Sequence, residues 1–225
     1  MKTIAIISPK GGVGKSTIAL GLAVAAITAG KIAAVIDLDP QATVAKWKDR
    51  RAQDDPAVVS AQASRLVPTL KAAEQGGAEF VIIDTAGRQD DSALQAARHA
   101  DLVLIPIRPK MADLETLPAA KDILGMAGNP AAFVVFNWLR PNANKQAEEA
   151  REIVRQTFGL QCTPMHLSDR TIYADAIATG QTPHELDTDG KAAAELDALF
   201  RFCSELVNNG TCEHDKGNER AASAA

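Results

Sequence analysis

The sequence predicts an α/β fold, a mostly parallel central sheet with helices on both faces, and three observations carry that prediction. Short β-type runs at residues 3–8, 32–37 and 80–84 each end in something chemically loaded, which is how open parallel sheets present ligands at strand carboxyl ends. Two further runs, 102–107 and 131–137, are apolar with little alternation, the pattern of strands covered on both faces. Helix-like stretches separate these runs, as parallel strands require.

Along the chain, residues 3–8 lead into a glycine-rich turn and an apolar helix over 15–29, stopped by Gly30. The second strand, 32–37, is followed by a helix over 42–51 carrying Trp47, and by a weaker run, 57–61, suited to a sheet edge. Alone, Trp47 reads as a core or helix-contact ring. A helix over 65–75 ends before Gly76-Gly77 and precedes the strand 80–84. Helices over 92–99 and 114–127, the second closed by Gly128, flank the strand 102–107; glycine commonly follows a helix end because it takes left-handed backbone without side-chain strain. After 131–137 come helices over 145–158 and 170–179, and then 191–207, which sets Leu196, Leu199, Phe200 and Cys203 on one face. Residues 208–225 are polar and alanine-rich and predict a disordered tail, leaving one domain over 1–207.

Composition narrows the partners. A net charge of -4 over 225 residues gives no global field that draws in nucleic acid, so such binding needs a local basic patch or a second subunit. Cys162, Cys203 and Cys212 are odd in number and never spaced C-x-x-C, and His99, His166 and His184 show no metal-ligand spacing. Reduced thiols in a cytoplasmic protein fit best. The amino terminus runs into a glycine loop where a signal peptide would have a cleavage site, and the apolar segment 18–30 is about half a membrane span.

The strongest signal is Ser-Pro-Lys-Gly-Gly-Val-Gly-Lys-Ser-Thr at residues 8–17. A strand, a glycine-rich turn and a helix start place backbone N–H groups and a helix N-terminus around one point, which suits a polyphosphate. Gly11, Gly12, Val13 and Gly14 form the turn; Lys15 would reach the β- and γ-phosphates, Ser16 would complete a magnesium shell, and Thr17 would bond the α-phosphate. This predicts a P-loop NTPase. Pro9 stands where the general pattern has its first glycine, and Lys10 brings a second lysine into the loop.

The run K-G-G-V-G-K-S-T resembles the deviant Walker A box of the ParA/MinD group of ATPases, closest to small ParA-type plasmid partition ATPases, and the resemblance covers residues 3–207. It implies ATP and Mg²⁺ as cofactors, an ATP-bound homodimer, and a Lys10 that crosses the dimer interface to the partner's nucleotide. A lysine delivered in trans to phosphate charge acts as an arginine finger does, making hydrolysis depend on dimerisation. Turnover is then expected to be slow and set by partners.

Two carboxylates follow at strand ends. Pro40 forces Asp39 out of the second strand, and Asp37-Leu38-Asp39-Pro40-Gln41 resembles the family's first switch, in which the second aspartate positions the attacking water and supports magnesium indirectly. Asp39 also fits a plain helix N-cap before residue 42. The buried run Phe80-Val81-Ile82-Ile83-Asp84 ends in one acid, the Walker B arrangement that holds magnesium through water. Thr85-Ala86-Gly87-Arg88 looks like a second switch, without the prolines the family more often has there. Asn137 ends a strand with an amide able to pair with adenine and by resemblance reads the base, although asparagine is also common at such turns. The same resemblance brings the loop near residues 164–168 against the base, and Trp47 matches a tryptophan of the small partition ATPases.

Branches of the family differ in what the ATP dimer holds. Residues 211–225 have no apolar face for a membrane, and no segment before the loop houses a helix-turn-helix, so the expectation is nonspecific DNA, nucleoid association in the ATP state, and an adaptor of ParB or other kind that stimulates hydrolysis. Lys145, Arg151, Arg155, Arg170 and Arg201 are the candidate DNA contacts; with Glu148, Glu149 and Glu152 between them they also fit a solvated, salt-bridged face. The alternative class is a biosynthetic ligase-type enzyme of related P-loop fold, which consumes ATP only with a small-molecule acid. The D-x-D-P-Q run and Lys10 argue against it.

Overall fold

The computed structural model describes residues 1–87 and 91–209. The expected tail, from residue 210 on, Cys212 and Arg88 of the expected second switch lie outside the described residues.

Among the described residues seven strands form one sheet: β1 (Lys2–Ile6), β2 (Ala33–Asp37), β3 (Ala57–Ser60), β4 (Phe80–Asp84), β5 (Leu102–Ile107), β6 (Ala132–Phe136) and β7 (Gln161–Cys162). Their order is β3-β2-β4-β1-β5-β6-β7 and every pairing is parallel, so the expected mostly parallel sheet is parallel throughout. The chain runs outward from β1 to the β3 edge, returns to insert β4 beside β1, and then builds the other half. That reversal puts the ligand-binding crevice of an open sheet at the carboxyl ends of β1 and β4.

Among the described residues ten α-helices cover the two faces: α1 (Lys15–Thr28), α2 (Thr43–Arg50), α3 (Leu66–Gln75), α4 (Asp91–Arg98), α5 (Met111–Leu114), α6 (Leu117–Met126), α7 (Asn144–Ile153), α8 (Thr171–Ala178), α9 (Pro183–Leu186) and α10 (Lys191–Asn208). Successive strand residues point to opposite faces, so two cores form. Ile4, Ile6, Val35 and Ile82 pack with α1, α2 and α10, while Ala5, Ile7, Ile36 and Ile83 pack with α3, α4, α6 and α7. Edge-to-face pairs Phe80–Phe200 and Phe133–Phe202, with centroids 5.2 and 5.1 Å apart, pin α10 to the sheet. Each pair adds about 0.5–1.5 kcal/mol beyond the area it buries.

The element boundaries move in three places. The helix expected over 114–127 is α6 and starts three residues later, because Pro118 sits in its first turn and favours a start there; a separate short helix, α5, precedes it. The helix expected over 145–158 passes into a π turn, Val154–Phe158, which Gly159 closes at φ 65°. β7, with two residues, and α9, with four, are too short for periodicity to reveal. Among the described residues no helix is long and apolar enough to cross a membrane.

Trp47 is a core ring. It is fully buried, its indole N–H donates to the Gln181 carbonyl at 2.8 Å, and the Arg51 guanidinium lies 4.6 Å above it. It ties α2 to the segment between α8 and α9. Trp47→Ala is expected to lower the unfolding free energy by about 3–5 kcal/mol. Denaturant titration checks this, and a loss below about 1 kcal/mol contradicts the packing described.

Candidate functional site

β1, β2 and β4 end level with one another, since Ile6 and Asp37 both pair with Asp84. Thr85, buried, donates its hydroxyl to the Ile6 carbonyl at 2.8 Å and fixes β4 to β1 where the chain enters the glycine loop. Beyond these ends lies a cavity of about 780 Å³ lined by Gly11, Gly12, Gly14, Lys15, Ser16, Thr17, Asp39, Pro40, Gln41, Thr43, Ala86 and Gly87. The expected phosphate loop, first switch and part of the second therefore meet in one place.

The loop is shaped to leave donors unspent. Gly14 opens α1 at φ 91°, and no side chain caps that helix start. A Cβ on Gly14 would meet the Asn137 amide nitrogen at 2.3 Å, so both its backbone angle and its surroundings demand glycine. Gly87 is equally constrained: a Cβ there would lie 2.8 Å from Gly11 Cα and 3.1 Å from Lys15 Nζ. The second switch thus rests directly on the phosphate loop. Lys15 is buried beneath, its ammonium 3.5 Å from the Lys10 carbonyl.

Asp84 closes the floor. Its side chain is fully buried, and neither carboxylate oxygen completes a hydrogen bond among the described residues. Burial pushes its pKa up to about 7; the approaching Ser16 hydroxyl and the Lys15 ammonium offset part of this, and the nearby Asp37 charge adds to it. A buried carboxylate beside the Ser16 hydroxyl and the Lys15 ammonium, next to the glycine loop, has the donor set for a hydrated magnesium ion and a polyphosphate. The residues fit that pair.

Asp37 and Asp39 divide their work differently from the capping role that also suited Asp39. The residue before α2 is Ala42, in left-handed backbone at φ 53°, and no side chain caps it. Asp39 instead turns its own loop, accepting the Gln41 N–H at 2.9 Å, and stays half-buried at the cavity wall. Asp37 holds the helix, its two oxygens accepting the N–H groups of Asp39 at 3.0 Å and Ala45 at 3.2 Å. Burial raises the Asp37 pKa despite those bonds.

Asn137 is buried, and its amide is partly spent inside the protein. Its Nδ2 donates to the Val13 carbonyl at 2.9 Å and its Oδ1 accepts the Trp138 N–H at 2.9 Å, leaving one N–H for a ligand. It clips β6 to the phosphate loop. Trp138, which sequence reasoning passed over, is half exposed, has φ 59°, and lies beside Gly14. Its position directly after a strand-ending asparagine was the available signal.

Lys10 does not line the cavity that Lys15 enters. Its ammonium turns outward to the Asp113 carboxylate and to the Ala112 carbonyl at 3.3 Å. Arg108 grips the same carboxylate through its Nε at 2.8 Å, its terminal nitrogen at 3.2 Å and its backbone N–H at 3.1 Å. Burial would raise the Asp113 pKa, but Arg108 and Lys10 overcome it and hold the carboxyl down to about 2. The linear sequence carries no sign of this contact, which spans 103 residues.

The five basic candidates do not gather into one patch. Arg151 is drawn onto the Thr163 and Pro164 carbonyls at 3.1 and 2.9 Å, and Arg170 onto Glu195 at 2.8 Å. These two arginines are thus partly engaged with groups of their own chain while keeping part of their side chains exposed. Arg155 pairs with Glu152 yet stays exposed, and Lys145 is 92% exposed. Lys145 lies on α7 and Arg155 in the π turn that follows it, on the opposite face of the sheet from Arg201 on α10.

Residues 4–183 match the CobQ/CobB/MinD/ParA nucleotide binding domain. The chain belongs to that family. Within the CobQ/CobB/MinD/ParA family it is 28% identical over 209 residues to the maintenance of carboxysome distribution protein A of Gloeobacter kilaueensis, covering 92% of this chain and 94% of that one. It is also 28% identical over 222 residues to Protein ParA of Rhizobium radiobacter, covering 94% and 98%. Its fold matches that of the septum site-determining protein MinD of Pyrococcus horikoshii, solved with Mg-ADP, at a TM-score of 0.71 and 16% identity over 92% and 98% of the two chains.

The state of Asp84 makes a pH prediction. Its folded pKa of about 7 lies above the ordinary 3.8, so the folded chain binds the proton more tightly and loses stability as pH rises from about 4 to about 7. Asp84→Asn removes that loss. In nucleotide-free protein the melting temperature of the variant relative to wild type should climb between pH 4 and pH 8, by an amount equivalent to roughly 2–4 kcal/mol. A pH-independent difference contradicts the buried, unpaired carboxylate.

Proposed function

We propose that the chain is a slow, Mg²⁺-dependent ATPase of ParA type that dimerises on ATP, holds nonspecific DNA in that state, and releases it when an adaptor stimulates hydrolysis. The observation that carries the reading is the placement of Lys10. A second lysine stands in the phosphate loop, yet its ammonium is turned away from its own cavity while Lys15 occupies it. A cation so placed serves no phosphate in its own chain and is available to another.

The remaining roles follow from position. Backbone N–H groups of Gly11, Gly12, Val13 and Gly14 and the start of α1 cradle the β-phosphate, with Lys15 neutralising the β- and γ-oxygens and Thr17 bonding the α-phosphate. Ser16 ligates magnesium directly, Asp84 holds it through water, and Asp39 supports it indirectly while orienting the attacking water. When bound, the metal neutralises charge on the transferring phosphoryl group. Asn137 offers its remaining N–H to adenine. Phosphoryl transfer to water needs placement and charge neutralisation above all, so a site lacking only its trans lysine idles until a second chain supplies it.

The DNA surface is assigned to Lys145 on α7 and Arg155 in the turn after it, doubled by the dimer, with Arg201 on the opposite face of the sheet as a separate contact. Their exposure supports this, and the name of the carboxysome relative supports a cargo-positioning role; a cytoplasmic place, on the nucleoid in the ATP state, belongs to the same proposal.

Turnover per chain should rise with protein concentration in wild type. Lys10→Ala should keep ATP binding and lose that rise, with turnover down by about 100-fold or more. Lys15→Gln should bind nucleotide poorly, and Asp39→Ala should accumulate ATP dimers. A DNA-retention assay should find protein bound with ATP and Mg²⁺ and released with ADP. Concentration-independent turnover that Lys10→Ala leaves intact contradicts the reading, and equal DNA retention in both nucleotides contradicts its DNA arm.

A further inference from the structure

Lys10 has a definite partner in the single chain, and that partner has a second cation. Asp113 lies at the end of α5 with a side chain 1% exposed, whereas the Lys10 side chain is 30% exposed. A buried carboxylate left alone is costly, and removing the sole partner of one typically destabilises a protein strongly. Asp113 is not exposed to that cost. Arg108 binds both of its oxygens and its own backbone N–H adds a third bond, so the carboxylate stays neutralised whether or not Lys10 is present. Lys10 is thus the exchangeable member of a three-group cluster, and Arg108 the permanent one.

We propose that Asp113 is a cis holder for Lys10, keeping the ammonium off the dimer face in the nucleotide-free chain, with Arg108 neutralising the carboxylate once the lysine leaves for a partner's phosphates. Asp113 is then a positioning residue that sets how readily ATP drives dimerisation, and this role rests on the dimer-coupled reading above. The cluster works as a threshold. Each of two chains must give up one charge-assisted bond before two bonds to phosphate can form, and the retained Arg108 keeps that cost small enough for ATP to overcome.

Two substitutions push the cluster in opposite directions. Asp113→Asn removes the negative charge but retains an oxygen for the Arg108 N–H; Arg108→Met leaves Lys10 as the only side-chain cation on Asp113. The first readout uses nucleotide-free chain and an amine-reactive acylating reagent, with modification of Lys10 followed by mass spectrometry. Labelling should rise several-fold in Asp113→Asn and fall in Arg108→Met. The second readout is the dissociation constant of the ATP dimer by sedimentation, which should fall about 10-fold in Asp113→Asn and rise in Arg108→Met. Labelling of Lys10 that neither substitution changes overturns the holder, as does a weaker ATP dimer in a folded Asp113→Asn. Should Asp113→Asn not fold, an Arg108→Met chain with unchanged or faster labelling overturns it alone. Wild type that forms no ATP dimer while Lys10 labelling still responds overturns the dimer-coupled reading instead, so the two failures are distinct.

Discussion

At the end of the β4 strand, Asp84 keeps both carboxylate oxygens buried and, among the described residues, without a completed hydrogen bond, directly in register with Asp37 and one strand away from the phosphate loop. Water satisfies a carboxylate far better than an apolar sheet does, so this arrangement persists only because the surrounding fold over-determines it. Seven parallel strands bring β1, β2 and β4 to a common level, Thr85 ties β4 to β1, and Gly87 lies against Gly11 with no space for a side chain. What results is a buried carboxylate next to the glycine loop, at the common level where three strands end.

Lys10 extends the same logic to assembly. Two lysines stand in one loop, and the fold separates them: Lys15 goes down beside Asp84 and Lys10 outward to Asp113. On the proposed function, nucleotide and partner are served by different cations. The Asp113 carboxylate is shared with Arg108, so a Lys10 that left it would strand no buried charge.

The sheet and the phosphate loop were legible in the sequence because they depend on local pattern. Phe80–Asp84 and Leu102–Ile107 are uninterrupted apolar runs of strand length, and the structure has strands of the same bounds there. The loop's glycines, lysines and hydroxyls are contiguous, so spacing alone implied a phosphate cradle. Illegible features were those made by distant residues or by competition among near-equal options. Nothing local distinguishes Asp113 from other acids on helices, and its pairing with Lys10 exists only once β5 lies beside β1. Asp39 stood at a strand end as a candidate helix cap, and only the turn through left-handed Ala42 decides that Asp37 instead reaches Ala45. Basic residues on a helix likewise read as a surface until Arg151 is found bonded to carbonyls of the loop beside it.

The central claim is that Lys10 completes the site of another chain. Mixing separately purified, nucleotide-free Lys10→Ala and Asp39→Ala chains and then adding ATP and Mg²⁺ tests it directly, because in a mixed dimer the Lys10→Ala chain keeps Asp39 and receives Lys10 from its partner. Two variants that are each nearly inactive should together recover turnover of up to about a quarter of the wild-type rate per chain, from the one competent site in each mixed dimer. Activity no greater than the sum of the two variants alone would contradict delivery in trans.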